Sequence, residues 1–158
     1  MHIVLVEPEI HTNTANISRT CYLTGNSLHL VRPLGFSTEE SLIKQAGLDY
    51  WQYLDLYYYD SFKELQQKYP EKRFFFATTK ADCFYTEKQY QADDFLVFGK
   101  ETAGLPGELL AANPDYCIRI PMGKNIRSLN LANAVSIILY EALRQQGFSG
   151  LITGKTTT

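Results

Sequence analysis

Residues 118–144 read IRIPMGKNIRSLNLANAVSIILYEALR, and this stretch decides the fold. A short apolar run over residues 117–121 leads into a polar loop, and Ser128-Leu129-Asn130 opens a long apolar helix. That order puts a bend of backbone donors and acceptors, with a serine and an asparagine, at the carboxyl end of a strand. In open α/β sheets ligands bind there. Taken alone, Ser128 reads as an ordinary N-cap and Asn130 as a polar residue of the second turn facing water.

Apolar, β-rich runs recur upstream at residues 3–6, 28–31, 53–59, 74–78 and 95–98. Several are continuous rather than alternating, as parallel strands covered on both faces require. Helical stretches separate them. Asn13-Thr14-Ala15-Asn16 caps a helix through Leu23 that Gly25 and Asn26 end, and residues 39–46 form another. Ser61 opens a helix to residue 69 with Glu64 three positions on, a capping-box pattern. Residues 105–110 make a short helix with Pro106 in its first turn. In the last helix Leu131, Val135, Ile138 and Ala142, with Leu129, Ala132, Leu139 and Leu143, form a broad apolar face that Gly147 ends. The sum is a single-domain α/β fold with a mostly parallel sheet and flanking helices.

At 158 residues and 45% apolar content, the chain suits one domain over residues 1–150 with a flexible tail at 151–158. The net charge of −2 argues against nonspecific coating of nucleic acid by bulk positive charge, while leaving room for a local basic patch. Cys21, Cys83 and Cys117 are scattered and form no CxxC pair, so neither a disulfide framework nor a zinc site is expected. Reduced thiols, the lack of a signal-like start in MHIVLVEPEI and the lack of a bilayer-length apolar run point to a soluble cytoplasmic protein without metal or membrane contacts.

The usual phosphate-cradling loops, GxGxxG and GxxxxGK[ST], are missing, which excludes a standard dinucleotide-binding domain. Four other loops follow strands: NTANISR, TTKAD, FGKETAGLP and IPMGKNIRSLN. Gly99 and Gly104 in the third permit positive φ or close backbone approach, which suits either a tight turn or a backbone wall for a flat, adenosine-like ligand. Glu101 is too polar for such a turn without an arginine or a capping bond. His2, His11 and His29 form no spaced cluster and read as structural. The aromatic run over residues 50–59 reads as packing rather than base stacking.

Taken together, Asn13-Thr14-Ala15-Asn16 with Arg19, Phe98-Gly99-Lys100-Glu101-Thr102-Ala103-Gly104-Leu105-Pro106, and Ile120-Pro121-Met122 with Ser128 to Val135 resemble the three motifs of the SPOUT RNA methyltransferases, TrmH-like branch. The opening VEPEIHTNTANISR and the short chain are most similar to the branch members that methylate the ribose of the tRNA wobble nucleotide. The resemblance implies a carboxy-terminal deep trefoil knot, which periodicity does not reveal. It implies S-adenosylmethionine held by Ala77, Thr78, Gly99, Glu101, Gly104, Ile120, Met122, Ser128 and Leu129, largely through backbone groups. It implies 2′-O-methylation of position 34, a cytidine or modified uridine, with Arg19, Asn16, Ser128 and Asn130 at the reacting centre. Arg19 stays protonated, so a phosphate-holding or charge-stabilising role suits it better than that of a base.

A chain of this size without a separate RNA-binding domain implies a homodimer that receives the anticodon stem-loop of tRNA, with Lys100, Lys124, Arg127, Tyr140 and Arg144 on the RNA side. Ala15 stands where relatives commonly have glycine, and Ala103 where many have arginine or lysine, which removes a possible phosphate contact. Another tRNA or rRNA site, or a catalytically silent knotted RNA-binding module, are the alternatives.

Overall fold

The computed structural model describes residues 1–38, 50–124 and 127–154. The helix expected over residues 39–46 lies outside them. Six strands form one sheet: β1 (His2–Val6), β2 (Ser27–Val31), β3 (Leu56–Tyr59), β4 (Phe74–Ala77), β5 (Phe95–Phe98) and β6 (Cys117–Ile118). Their order is β3-β2-β1-β5-β4-β6 and every pairing is parallel. Every residue of β2 and β5 is buried, which is why β5 (FLVF) is apolar without alternation, whereas β2 (SLHLV) also buries the polar Ser27 and His29.

Among the described residues four α-helices cover the sheet: α1 (His11–Thr24), α2 (Phe62–Lys68), α3 (Gly107–Ala111) and α4 (Leu131–Gln145). On one face Ile17 and Cys21 of α1 and Val135, Ile138 and Leu139 of α4 pack on Ile3, Leu5, Leu28 and Leu96. On the other, Leu65 of α2 and Leu105 pack on Val4, Val6, Phe76 and Val97. Burial pushes the Cys21 thiol up to about 12, so it stays protonated as a small apolar side chain.

Several boundaries differ from those read in the sequence. A 3₁₀ turn at Trp51–Tyr53 takes the first part of the run expected as β3, and Tyr53 is 71% exposed rather than packed. β6 stops at Ile118, and Arg119 pairs only as an isolated bridge with Phe84, two residues before Pro121, which has no N–H for a ladder. α1 begins at His11 with Ile10 as its N-cap, so Asn13 lies inside the helix instead of capping it, and Gly25 at φ 65° ends it as expected. At α2 Ser61 Oγ accepts from Glu64 N at 3.2 Å, but the Glu64 carboxylate reaches Asp60 N, one residue beyond a capping box. Pro106 is the N-cap of α3 rather than a first-turn residue.

The start of α4 is the most consequential difference. Asn130, not Ser128, is the N-cap: its Oδ1 accepts from Ala132 N at 2.9 Å and Asn133 N at 3.3 Å. Ser128 and Leu129 precede the helix, because the buried positions begin only at Ala132 and continue through Val135, Ile138 and Leu139. Beyond the other end, Gly147 at φ 63° turns the chain so that Phe148 and Leu151 pack back on the core.

His2 and His29 lie in β1 and β2. His2 Nδ1 meets His29 Nε2 at 3.0 Å, and His29 Nδ1 meets Tyr59 Oη at 3.1 Å. His2 also stacks on Phe95 with centroids 4.2 Å apart, which supports the structural role read for these histidines. At the carboxyl end of the sheet, β1, β5, β4 and β6 stand side by side, and the loops that leave them converge.

Candidate active site

A cavity of about 630 Å³ opens where those loops meet. Ala77 at the end of β4 with Thr78 and Thr79 after it, residues 99–105 after β5, Ile118 at the end of β6 with Ile120 and Met122 after it, and Ser128 to Leu131 at the start of α4 line it. Ile10 and Asn13 of the loop and helix after β1 close one side, and Ala134 and Ile138 form the floor. The volume suits a cofactor-sized organic ligand.

Gly99 shapes this wall through close backbone approach. A Cβ at Gly99 would lie 2.1 Å from Gly104 C and 2.2 Å from Leu105 N, a separation real atoms do not tolerate. Gly104 holds the facing turn at φ 69°, and its N–H donates to Lys100 O at 2.8 Å. The loop after β5 therefore folds flat on itself and offers mostly main chain to the cavity. Apolar Ile120, Leu129 and Ile138 beside peptide groups fit a ligand that is flat and apolar on one part and polar on another.

Polar side chains join the loops. Glu101 Oε2 accepts from Glu9 N at 2.8 Å, and Oε1 accepts from Ile10 N at 3.1 Å and from Asn13 Nδ2 at 3.0 Å. Its partners are thus amides, not an arginine. Asn13 Oδ1 accepts from Asn130 Nδ2 at 2.9 Å. In return Glu9 accepts from Thr102 N at 3.0 Å and Thr102 Oγ1 at 2.8 Å, bonds that hold its carboxyl below the usual range. Lys100 Nζ donates to Glu7 at 2.9 Å, and that carboxylate raises the ammonium's pKa. Glu7 itself sits at φ 52°, a strained conformation for a side chain of this size, at the point where β1 turns toward the cavity.

All nine residues read as cofactor contacts, Ala77, Thr78, Gly99, Glu101, Gly104, Ile120, Met122, Ser128 and Leu129, line the cavity, and so does Asn130. Arg127 and Lys100 line it as well. Arg19 and Asn16 do not: both are exposed on α1, outside the cavity of their own chain. Lys124 is exposed in the loop after β6. Tyr140, 48% exposed, and Arg144 lie on the outer side of α4, where Arg144 Nε donates to Glu141 at 2.8 Å. Among the described residues no group of His, Cys, Asp or Glu is arranged to hold a metal ion, and no helix is long and apolar enough to cross a membrane.

Sequence reasoning did not find the latch between Glu9 and Thr102 or the part Ile10 plays in the wall. No local pattern signals either, because the partners lie about ninety positions apart along the chain. Asn13 was singled out, but as a cap. Its actual role depends on where Glu101 and Asn130 fold.

Residues 1–140 match the SpoU rRNA Methylase family. The chain is 44% identical over 159 residues to the tRNA (cytidine(34)-2′-O)-methyltransferase of Yersinia pestis, with 96% of this chain and 98% of that protein covered. A solved structure of a Bacillus anthracis protein superposes with a TM-score of 0.93 at 48% identity, covering 98% of this chain and 99% of that one. A second, described as giving insights into the 2-OH methylation of C/U34 on tRNA, superposes with a TM-score of 0.86 at 42% identity, covering 92% of this chain and 95% of that one. A match of this extent, on a parallel sheet whose carboxyl-end loops build the cavity, makes the chain a member of the SpoU RNA methylase family.

Proposed function

We propose that the protein transfers a methyl group from S-adenosylmethionine to the ribose 2′-hydroxyl of the wobble nucleotide, position 34, in the anticodon loop of tRNA, in the cytoplasm. The observation that carries this is the convergence of three separate loops, after β4, β5 and β6, on one cavity of cofactor size. The near-full-length identity to a tRNA (cytidine(34)-2′-O)-methyltransferase supports the choice of substrate.

Bound in the cavity, the cofactor supplies an already activated methyl group, so the protein's work is positioning and management of one proton. Gly99, Ile120, Ser128 and Leu129 would hold it, largely through main chain and apolar contact. The attacking hydroxyl needs a neighbour that steadies developing negative charge. The Arg19 guanidinium, which does not give up its proton, suits that task or the holding of a phosphate, while phosphate or water takes the hydroxyl proton.

Arg19 lies outside the cavity of its own chain, so a second copy supplies it. Tyr22 and Leu23 on α1 (42% and 65% exposed) and Tyr140 on α4 give these two packed helices an apolar outer face suited to a homodimer. Asn16 lies one turn before Arg19 and orients it or the ribose. Lys124, Arg127 and the outer end of α4 are the surface for the anticodon stem-loop.

The proposal includes the carboxy-terminal knot. β6 lies between β4 and the segment of Cys83 to Tyr85, which pairs with Arg119, so the connection from β4 to β5 passes around β6. The chain after β6 then returns to the middle of the sheet, where α4 packs on β5.

The deciding experiment incubates the protein with methyl-labelled S-adenosylmethionine and unmodified total tRNA, then maps the labelled nucleotide. Label confined to the 2′-oxygen of position 34 is the expected result. Label at another nucleotide defeats the assigned site, and no label defeats the activity.

A further inference from the structure

Arg119 follows β6 between two residues that line the cavity, Ile118 and Ile120, and its guanidinium lies over the ring of Phe84, 5.6 Å from the centroid. Its Nε is buried and has no hydrogen-bond partner. A desolvated charged donor is costly to leave unpaired, so the position calls for an acceptor from outside the chain. Among the described residues no carboxylate pairs with Arg119, nor with Lys80, an exposed cation on the cavity wall. Phe84 is 39% exposed, yet its backbone is fixed. Arg119 N donates to Cys83 O and Tyr85 N to Arg119 O, both at 2.9 Å, and Tyr90 Oη donates to Tyr85 O at 2.6 Å. The nearby Glu87 carboxylate accepts from Phe84 N and so faces the main chain.

We propose that Phe84 and Arg119 form an RNA contact beside the cavity, where a single-stranded nucleotide flanking the methylated one stacks its base on the exposed Phe84–Arg119 pair and sets its phosphate against Arg119 and Lys80. This rests on the methyltransferase reading above, which brings a polynucleotide to the mouth of the same cavity. Bases stack on aromatic rings and guanidinium planes, and a phosphate supplies the acceptor that Arg119 Nε lacks. One exposed ring flanked by unpaired cations is too small for an apolar protein interface, and its charge is complementary to a nucleic acid. Every base has a π face, so the contact holds the loop without reading its sequence.

The test uses four variants of the full-length protein. Phe84→Leu removes the ring and keeps apolar bulk, whereas Phe84→Tyr keeps the ring; Arg119→Gln removes the charge, whereas Arg119→Lys keeps it. Affinity for an RNA hairpin with the sequence of a tRNA anticodon stem-loop is read by fluorescence anisotropy over a range of KCl concentrations. Phe84→Leu is expected to weaken binding about tenfold and Phe84→Tyr less than about threefold. Arg119→Gln should weaken binding and flatten the slope of log affinity against log salt by about 0.7, the value for one phosphate of a single strand, and Arg119→Lys should keep the slope. With tRNA as substrate, Phe84→Leu should raise KM with kcat within about threefold, and its cofactor affinity by calorimetry should stay within about threefold.

Unchanged RNA affinity in Phe84→Leu or in Arg119→Gln overturns the proposal, and so does a Phe84→Tyr variant that binds as weakly as Phe84→Leu. Cofactor affinity falling in step with RNA affinity overturns it too, since the pair would then support the cavity rather than the RNA. Where Arg119→Gln does not fold, the contrast between Phe84→Leu and Phe84→Tyr decides alone. An unaltered protein that does not bind the hairpin overturns the contact. One that binds the hairpin and transfers no methyl to tRNA defeats the methyltransferase reading itself, while the variant affinities still decide the contact.

Discussion

His29 shows how one residue couples the core to pH. It is fully buried between His2 and Tyr59, and desolvation pushes its imidazole down to about 3; His2, half-buried, is lowered for the same reason. An unfolded histidine titrates near 6.5, so above that pH both states are neutral and His29 contributes nothing to the pH dependence. Below it the unfolded chain takes up a proton that the folded one refuses. Stability is therefore lost as pH falls from about 6.5 toward 3, by about 2 kcal/mol at pH 5 from His29 alone. Urea midpoints measured between pH 7.5 and 5 should fall with acidity, and the fall should be shallower in His29→Gln. A flat profile in the unaltered protein would contradict the neutral, buried pair.

At the scale of the element, α4 shows what periodicity reads and what it leaves open. The apolar face over Val135, Ile138, Leu139, Ala142 and Leu143 was legible, because a helix that packs on a sheet must bury residues three and four apart. Its starting residue was not. Ser128 and Asn130 are both good N-cap types, and choosing between them needs the position of the floor on which Ala132 packs. The observed cap gives a sharp contrast. Asn130→Ala should cost about 1–2 kcal/mol in urea unfolding, since it removes the cap and leaves Asn13 without its donor, whereas Ser128→Ala should stay within about 0.5 kcal/mol. Equal costs would return the capping role to Ser128. Similarly, Glu101 was seen to need a partner, but Glu9 and Ile10 are remote in sequence and carry no mark of it.

For the whole molecule, the question is how Arg19 reaches a cavity that its own chain does not bring to it. If one copy serves the other, mixing Arg19→Ala protein with a Gly99→Ala protein that cannot form the cavity wall should restore activity. After subunit exchange half the dimers are mixed, and each has one complete site, so methylation should recover to about a quarter of the unaltered level. Single-copy catalysis would leave the mixture inactive. The mixture is compared with each variant alone after calorimetry has shown that Gly99→Ala binds no cofactor, as the 2.1 Å contact of its Cβ requires.

The α/β class, four of the six strands to within a residue and the apolar face of α4 were legible in the sequence alone, because each follows from local periodicity and turn chemistry. The three motifs also determined which loops belong together, and the residues they nominated as cofactor contacts do meet in one cavity. Only the tertiary structure decided the strand order, with β1 beside β5 and β4 beside β6, since pairing partners are chosen by packing across long separations. It alone decided the partners of Glu101, Asn13 and Lys100, and it alone left Arg19 outside. A side chain's type states which bonds it can make, but the fold decides which atoms come within 3 Å of it.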